Sequence, residues 1–240
     1  MISVCVATYN GEKYIEEQIL SILQQLNNND ELIVSDGGST DRTLQIISSL
    51  NDSRIKIFHW KATLKTNSVF NTMDRIRGNF ENALKYSQGD ILFFSDQDDI
   101  WLSNKVVETC DLLKNASCVL HNCSVINDKR DIIIPSLFEN LKPVSTKMGM
   151  FIKSPFMGCC MAINRSVLNR ALPFPNTHIE YDTWIGICAH KTGKVIISDK
   201  ILLHYRRHGQ NASFCSGKSQ NSLWIKLMRR IYMLYVYVRY

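Results

Sequence analysis

Apolar blocks and polar breaks recur in a regular order along the first half of the chain. Ile2 to Ala7 is an apolar run of the kind that fills a strand covered on both faces. Thr8-Tyr9-Asn10-Gly11 breaks it with turn residues. From Glu12 to Leu26 the spacing becomes helical, with Ile15, Ile19, Ile22, Leu23 and Leu26 on one face. Asn27 to Asp30 ends that helix. The cycle then repeats as strand Glu31 to Ser35, polar turn Asp36 to Asp41, helix Arg42 to Leu50 and strand Ile55 to His59. Thr63 to Gly78 reads as polar and irregular, and Asn79 to Ser87 as a short helix leading into a strand at Ile91. Lys105 to Lys114 is a predicted helix and Cys118 to Ile126 a predicted strand. Strand, loop and helix in succession predict right-handed crossovers and a central, mostly parallel sheet, an α/β domain of Rossmann-like type.

From about residue 128 the alternation dissolves. Asp128 to Met150 is loop-rich, with Pro135 and Pro143. Phe156 to Asn164 is small and apolar, Arg165 to Ala171 and Tyr181 to Thr192 are helical, and Val195 to Ser198 is a last strand. His204 to Asn211 is basic and polar.

Ile91-Leu92-Phe93-Phe94 ends abruptly in Asp96, Asp98 and Asp99. Three acids in four positions repel one another, and a divalent cation that prefers hard oxygen ligands is the natural neutraliser. A solvated acidic loop that opens a helix is the plainer alternative. Asp36 places a second acid at another strand end. In open α/β sheets both would lie on the edge where ligands gather, beside Thr8, Tyr9 and Asn10. An aromatic ring, amide and hydroxyl groups, and metal-holding acids on one edge suit a nucleotide diphosphate. No Gly-x-Gly-x-x-Gly and no Gly-x-x-x-x-Gly-Lys-Ser/Thr motif is present, which disfavours a plain dinucleotide site.

Composition changes this picture little. A net charge of +6 is moderate, and there is no Lys/Arg run of the nucleic-acid-binding type. The 8 cysteines show neither Cys-x-x-Cys nor zinc spacing and read as buried free thiols. No secretory signal pattern is visible at the N-terminus, so the expected location is cytoplasmic.

Seven segments now carry a resemblance. VCVATYNGEKYIEEQI, LIVSDGGSTDRT, GNFENAL, GDILFFSDQDDIW, FMGCCMAINRSVL, YDTWIGI and HYRRHGQNAS run in order from residue 3 to about 213. Together they resemble a family 2 glycosyltransferase of the A-type nucleotide-diphospho-sugar transferase fold. SDQDDIW with YDTW and YRRHGQN is most similar to the rhamnosyltransferase-like branch. The resemblance implies one catalytic domain over 1–215, with a nucleotide-binding half (1–127) and an acceptor half (128–215). It implies inverting transfer from a nucleotide-diphosphate sugar, dTDP-rhamnose or a UDP-sugar, to a hydroxyl of a lipid-linked glycan in cell-surface polysaccharide synthesis. By position, Thr8, Tyr9 and Asn10 flank the nucleotide, Asp96 faces the ribose, and Asp98 holds Mg²⁺ or Mn²⁺ with Asp99 in support. Asp182 matches the base that deprotonates the acceptor. Arg206 and His208 lie in the segment that closes over the diphosphate, and Asn79 is a further donor-side candidate. The family usually carries two adjacent acids where this chain has Asp36-Gly37, so contact with the base falls to Asp36 or is looser.

Alternatives remain at several positions. Asp182 also suits a helix N-terminus, and Glu180 is a competing base. A metal-dependent sugar nucleotidyltransferase would use similar acids, and Gly37 hints at an inactive sugar-binding relative. Residues 222–240 form an amphipathic helix with Trp224, Leu227, Met228, Ile231, Leu234, Tyr235 and Val238 at helical spacing and Lys226, Arg229, Arg230 and Arg239 as cations. It is too charged to span a bilayer, so it lies at the inner face of a membrane or packs on the domain.

Overall fold

The computed structural model describes residues 1–61, 69–152, 154–177, 179–209 and 223–240. Gln210 and Asn211, from the last matching segment, lie outside the described residues. The elements follow as β1 (Ile2–Thr8), α1 (Ile15–Leu23), β2 (Glu31–Asp36), α2 (Thr43–Ser49), β3 (Ile55–His59), α3 (Val69–Tyr86), β4 (Ile91–Ser95), β5 (Ile100–Trp101) and α4 (Lys105–Leu113). They continue as β6 (Cys118–Ile126), β7 (Ile132–Ile134), α5 (Leu137–Leu141), α6 (Lys147–Ile152), β8 (Met161–Asn164), α7 (Arg165–Ala171), α8 (Tyr181–Thr192), β9 (Val195–Arg206) and α9 (Leu223–Arg239).

One sheet runs β3-β2-β1-β4-β8-β6-β9-β5, with β7 on β6. β1 to β4 are mutually parallel, β6 and β9 are parallel to each other, and β8 is antiparallel to both β4 and β6. The two-residue period of the apolar strands sends alternate side chains to opposite faces. Val4, Val6, Leu32, Val34, Phe93 and Val119 face a core closed by α1, α2 and α4. Cys5, Ile33, Leu92, Phe94, Leu120 and Ile163 face a core closed by α3, α7 and α8. Burying both faces explains why these strands read as unbroken apolar runs.

Three expectations need correction. Residues 69–78 of the segment expected to be irregular form the first half of α3, and residues 63–68 lie outside the described residues. Met73, Ile76 and Phe80 keep helical spacing there, and Gly78 is tolerated because the Trp60 ring packs where its Cβ would be, 2.3 Å from the nearest ring carbon. The loop-rich region after residue 128 contains β7, α5 and α6. The last strand does not stop at Ser198. Register shifts opposite Asn122 absorb the polar Ser198-Asp199-Lys200, and β9 then continues to Arg206. This extension pairs His204 with Ile100 and carries the chain to the edge where the acids lie.

Candidate active site

The strand order reverses between β1 and β4, because the chain steps outward through β2 and β3 before returning to β4 on β1's other side. Such a switch point opens a crevice at the strands' carboxyl ends. Gln97 clamps the two ends that form it. Its Oε1 accepts from Thr8 Oγ1 and from the Tyr9 backbone N–H, each at 2.8 Å, and its Nε2 donates to Tyr9 O at 3.1 Å. The approach is so close that a Cβ on Gly11 would lie 2.6 Å from Gln97 Oε1. The Tyr9 ring is 45% exposed, with the Arg75 guanidinium 5.0 Å from its centroid. Sequence reading overlooked Gln97. The signal was its place between two acids at a strand end, where alternation turns it toward the neighbouring strand.

The extended β9 delivers its end to the acids. Arg206 is buried; its backbone N–H donates to Asp99 Oδ1 at 3.0 Å and its Nε to Asp98 O at 2.8 Å. Its Nη2 pairs with Glu17 at 2.6 Å, and its guanidinium lies 5.0 Å from the Tyr14 ring centroid. His208 Nε2 sits 2.8 Å from Asp98 Oδ2, and its ring stacks on Tyr14 at 4.9 Å. Tyr14 is held in turn by Asp128 at 2.7 Å. Tyr14, the N-cap residue of α1, and Glu17 in its first turn lie three residues apart, on the side that seats Arg206 and His208.

Burial, then the charges of Asp98 and Asp182, push the Asp96 carboxyl up to about 7. Burial, then Asp98 and Asp96, push Asp99 well above the carboxylate range, and Asp99 Oδ2 has no hydrogen-bond partner. Acids that disfavour their own ionisation, an orphaned carboxylate oxygen and an imidazole nitrogen on Asp98 fit a hard divalent cation. Asp98 with His208 is one donor set. Asp96, Asp99 and Cys159 are another, with ligand atoms all within 4.8 Å. The Cys159 thiol is held protonated by its hydrogen bond to Cys160 and by burial, so it is the poorest donor of the group.

Asp182 lies in the first turn of α8. The Tyr181 ring before it stacks on Phe80 at 4.1 Å, and its hydroxyl passes over Gly158, where a Cβ would be 1.7 Å away. Only glycine permits that approach, which brings α8 against β4. Burial, then the Glu180 charge, push Asp182 up to about 7, and its own charge adds to the shift at Asp96. The charge of the acid opening α8 is thus felt at the acid after β4.

Other expected donor-side residues also bond to the scaffold. Asp36 is buried, and its Oδ2 accepts from the backbone N–H groups of Gly38 and Ser39, each at 3.0 Å. Asp36 thus caps the turn that follows β2. Asn79 donates to Thr8 O at 3.1 Å and accepts from Ser35 Oγ at 2.6 Å, which ties α3 to two strand ends. Asn10 Oδ1 accepts from Thr40 N at 2.8 Å and so joins the first two loops. Arg206, expected over the diphosphate, also bonds the acidic loop at Asp98 O and Asp99 Oδ1. Gly37 N donates to Thr8 O at 2.8 Å, and an added Cβ would lie 3.3 Å from Asn79 Nδ2. Behind the acids, the buried Lys105 donates to Cys159 O at 2.7 Å and lies 4.1 Å from the Trp101 ring centroid. Trp101 anchors the acidic loop in the core.

The chain matches the family model described as Glycosyl transferase family 2 over residues 3–172. It is 29% identical over 249 residues to UDP-Glc:alpha-D-GlcNAc-diphosphoundecaprenol beta-1,3-glucosyltransferase WfgD of Escherichia coli, covering 99% of this chain and 92% of that protein. It is 30% identical over 174 residues to dTDP-rhamnosyl transferase RfbG of Shigella flexneri, covering 68% of this chain and 55% of that protein. Among solved structures it shares the fold of mannosyltransferase PcManGT from Pyrobaculum calidifontis in complex with GDP-Man and Mn²⁺. That TM-score is 0.61 at 19% identity, covering 100% of this chain and 64% of that one.

Proposed function

The chain belongs to glycosyl transferase family 2 and uses a nucleotide sugar, and on that premise we propose that it is an inverting, metal-dependent transferase acting on a lipid-linked glycan at the inner face of a membrane. The first donors to test are UDP-glucose and dTDP-rhamnose, the sugars named for two relatives. Residues 1–127 are assigned to the donor half and 128–215 to the acceptor half; the parallel block β1 to β4 lies wholly in the first.

Tyr9, exposed at the switch point, stacks on the nucleotide base. Asp96 faces the ribose. Asp98 and His208 would hold Mg²⁺ or Mn²⁺, with Asp99 behind them, and a cation there would supply positive charge to the departing diphosphate. Asp182 takes the proton from the acceptor hydroxyl. The oxygen then attacks the anomeric carbon from the face opposite the diphosphate, and the carbon–oxygen bond to the diphosphate breaks. The observation that carries this reading is the joint placement of Asp96, Asp98 and Asp182, with two of the three carboxyls raised to about 7. Asp182 is poised to accept a proton near neutrality, and Asp96 to give its proton up beside a cation.

A donor panel with Mn²⁺ and a lipid-linked acceptor is the test. The expected products are a nucleoside diphosphate and a glycosylated lipid. Pyrophosphate release from a nucleoside triphosphate and a sugar phosphate would overturn the reading in favour of a nucleotidyltransferase.

A further inference from the structure

Helix α9 carries two apolar faces. Met233 and Val236 are buried, Tyr237 meets Phe151 edge-on at 5.3 Å, and Tyr240 meets Trp184 at 5.8 Å. These contacts fasten the helix to α6 and α8. On the opposite face Trp224, Leu227, Ile231, Leu234 and Val238 form a stripe in steps of three and four residues, each between 45% and 76% exposed. The adjoining α6 exposes Met148 and Ile152 one turn apart, and Arg230 Nε donates to Ile152 O at 3.1 Å between the two helices. Both the packing and the free apolar surface foreseen as alternatives are therefore present, on different faces.

Charge decides what covers the free face. Residues 217–240 contain Lys218, Lys226, Arg229, Arg230 and Arg239 and no acid, and residues 140–155 contain three lysines and no acid. A second copy laid along this stripe would set cations against cations, with no complementary flanking pairs. An anionic lipid surface complements both the apolar stripe and its flanks. None of the described helices is long and apolar enough to cross a membrane, so a contact with lipid here is one of lying on the surface.

Arg229 Nη2 bonds Glu180 Oε1 at 2.7 Å, two residues before Asp182. The helix with the free stripe is thus tied to the segment that carries the base. We propose that α9 and α6 form a docking surface for an anionic bilayer, which presents the Asp182 side of the crevice to acceptors anchored in the same leaflet. The orientation rests on the reading of Asp182 as the base; the docking itself does not.

The full chain is mixed with phosphatidylglycerol vesicles and, separately, with phosphatidylcholine vesicles at low salt. The comparison is the triple variant Leu227→Glu, Ile231→Glu, Leu234→Glu, whose positions are exposed. Expected is wild-type binding to phosphatidylglycerol alone, a loss of roughly tenfold or more in the variant, and an unchanged melting curve and donor hydrolysis rate. Three results would overturn the proposal: wild-type protein indifferent to phosphatidylglycerol, a variant that binds as well as wild type, or a lipid-indifferent dimer that the variant splits. Vesicle binding without any donor turnover would instead sink the transferase reading and leave the docking surface standing.

Discussion

His208 Nε2 lies 2.8 Å from Asp98 Oδ2 although 110 residues separate them. The contact exists because β9 runs past its polar interruption and β5, directly after the acids, pairs with it. One hairpin-like pairing therefore brings the acidic loop and the basic segment to the same point.

That pairing predicts a shared cation. Asp98→Ala should abolish turnover, and His208→Ala should weaken Mn²⁺ binding about ten- to hundred-fold. Mn²⁺ affinity measured directly by electron paramagnetic resonance, beside turnover, checks this independently of the donor. Full activity in excess EDTA would refute the metal requirement. Loss of turnover in His208→Ala with unchanged Mn²⁺ affinity would move His208 to the diphosphate.

Arg206 makes a structural prediction beside the ligand role its sequence position suggested. It is 2% exposed and joins Glu17 to the Asp98 carbonyl. Breaking a fully buried pair costs about 3–5 kcal/mol; Glu17 keeps water and Arg130 at 2.7 Å, so about 2–3 kcal/mol is expected for Arg206→Met. Denaturant unfolding measures it. A variant that unfolds like wild type but binds nucleoside diphosphate poorly would return Arg206 to the ligand.

The strand-end acids were legible because two independent patterns met there: an apolar run buried on both faces, and three carboxylates that cannot coexist without a partner. The first three strand–helix units were legible for the same reason, since local period and burial agree along them. The second half of β9 was not, because its strand character comes from pairing with β6 and β5 and not from its own alternation across Ser198-Asp199-Lys200. The first half of α3 was hidden by Gly78, which reads as a break until Trp60 is seen to fill its place. Gln97, Tyr14 and Glu17 escaped notice because each acts only through a partner remote in sequence. In α9 apolar residues lie on opposite faces, and periodicity alone does not say which face the domain covers.

Asp182 supplies the last prediction, in pH. Its folded-state value of about 7 lies above the ordinary 3.8, first because of burial and then because of Glu180. Its stabilising contribution is therefore complete below about pH 4 and is lost as pH rises to about 7. Removing the charge should raise stability in that lost range, so Asp182→Asn should melt above wild type at pH 8, by at most roughly 4 kcal/mol, with the gap closing toward pH 4. Activity should run the other way. A base must be ionised, so wild-type kcat/KM should climb about tenfold per unit up to about pH 7 and then level. Asp96 titrates in the same range, and a cation at Asp98 would favour its ionised form, so the profile is taken at saturating Mn²⁺. Asp182→Asn should retain donor binding and lose about 10²–10⁴-fold in rate. A flat wild-type profile from pH 5 to 8, or a dead Glu180→Gln beside an active Asp182→Asn, would transfer the proton abstraction to Glu180.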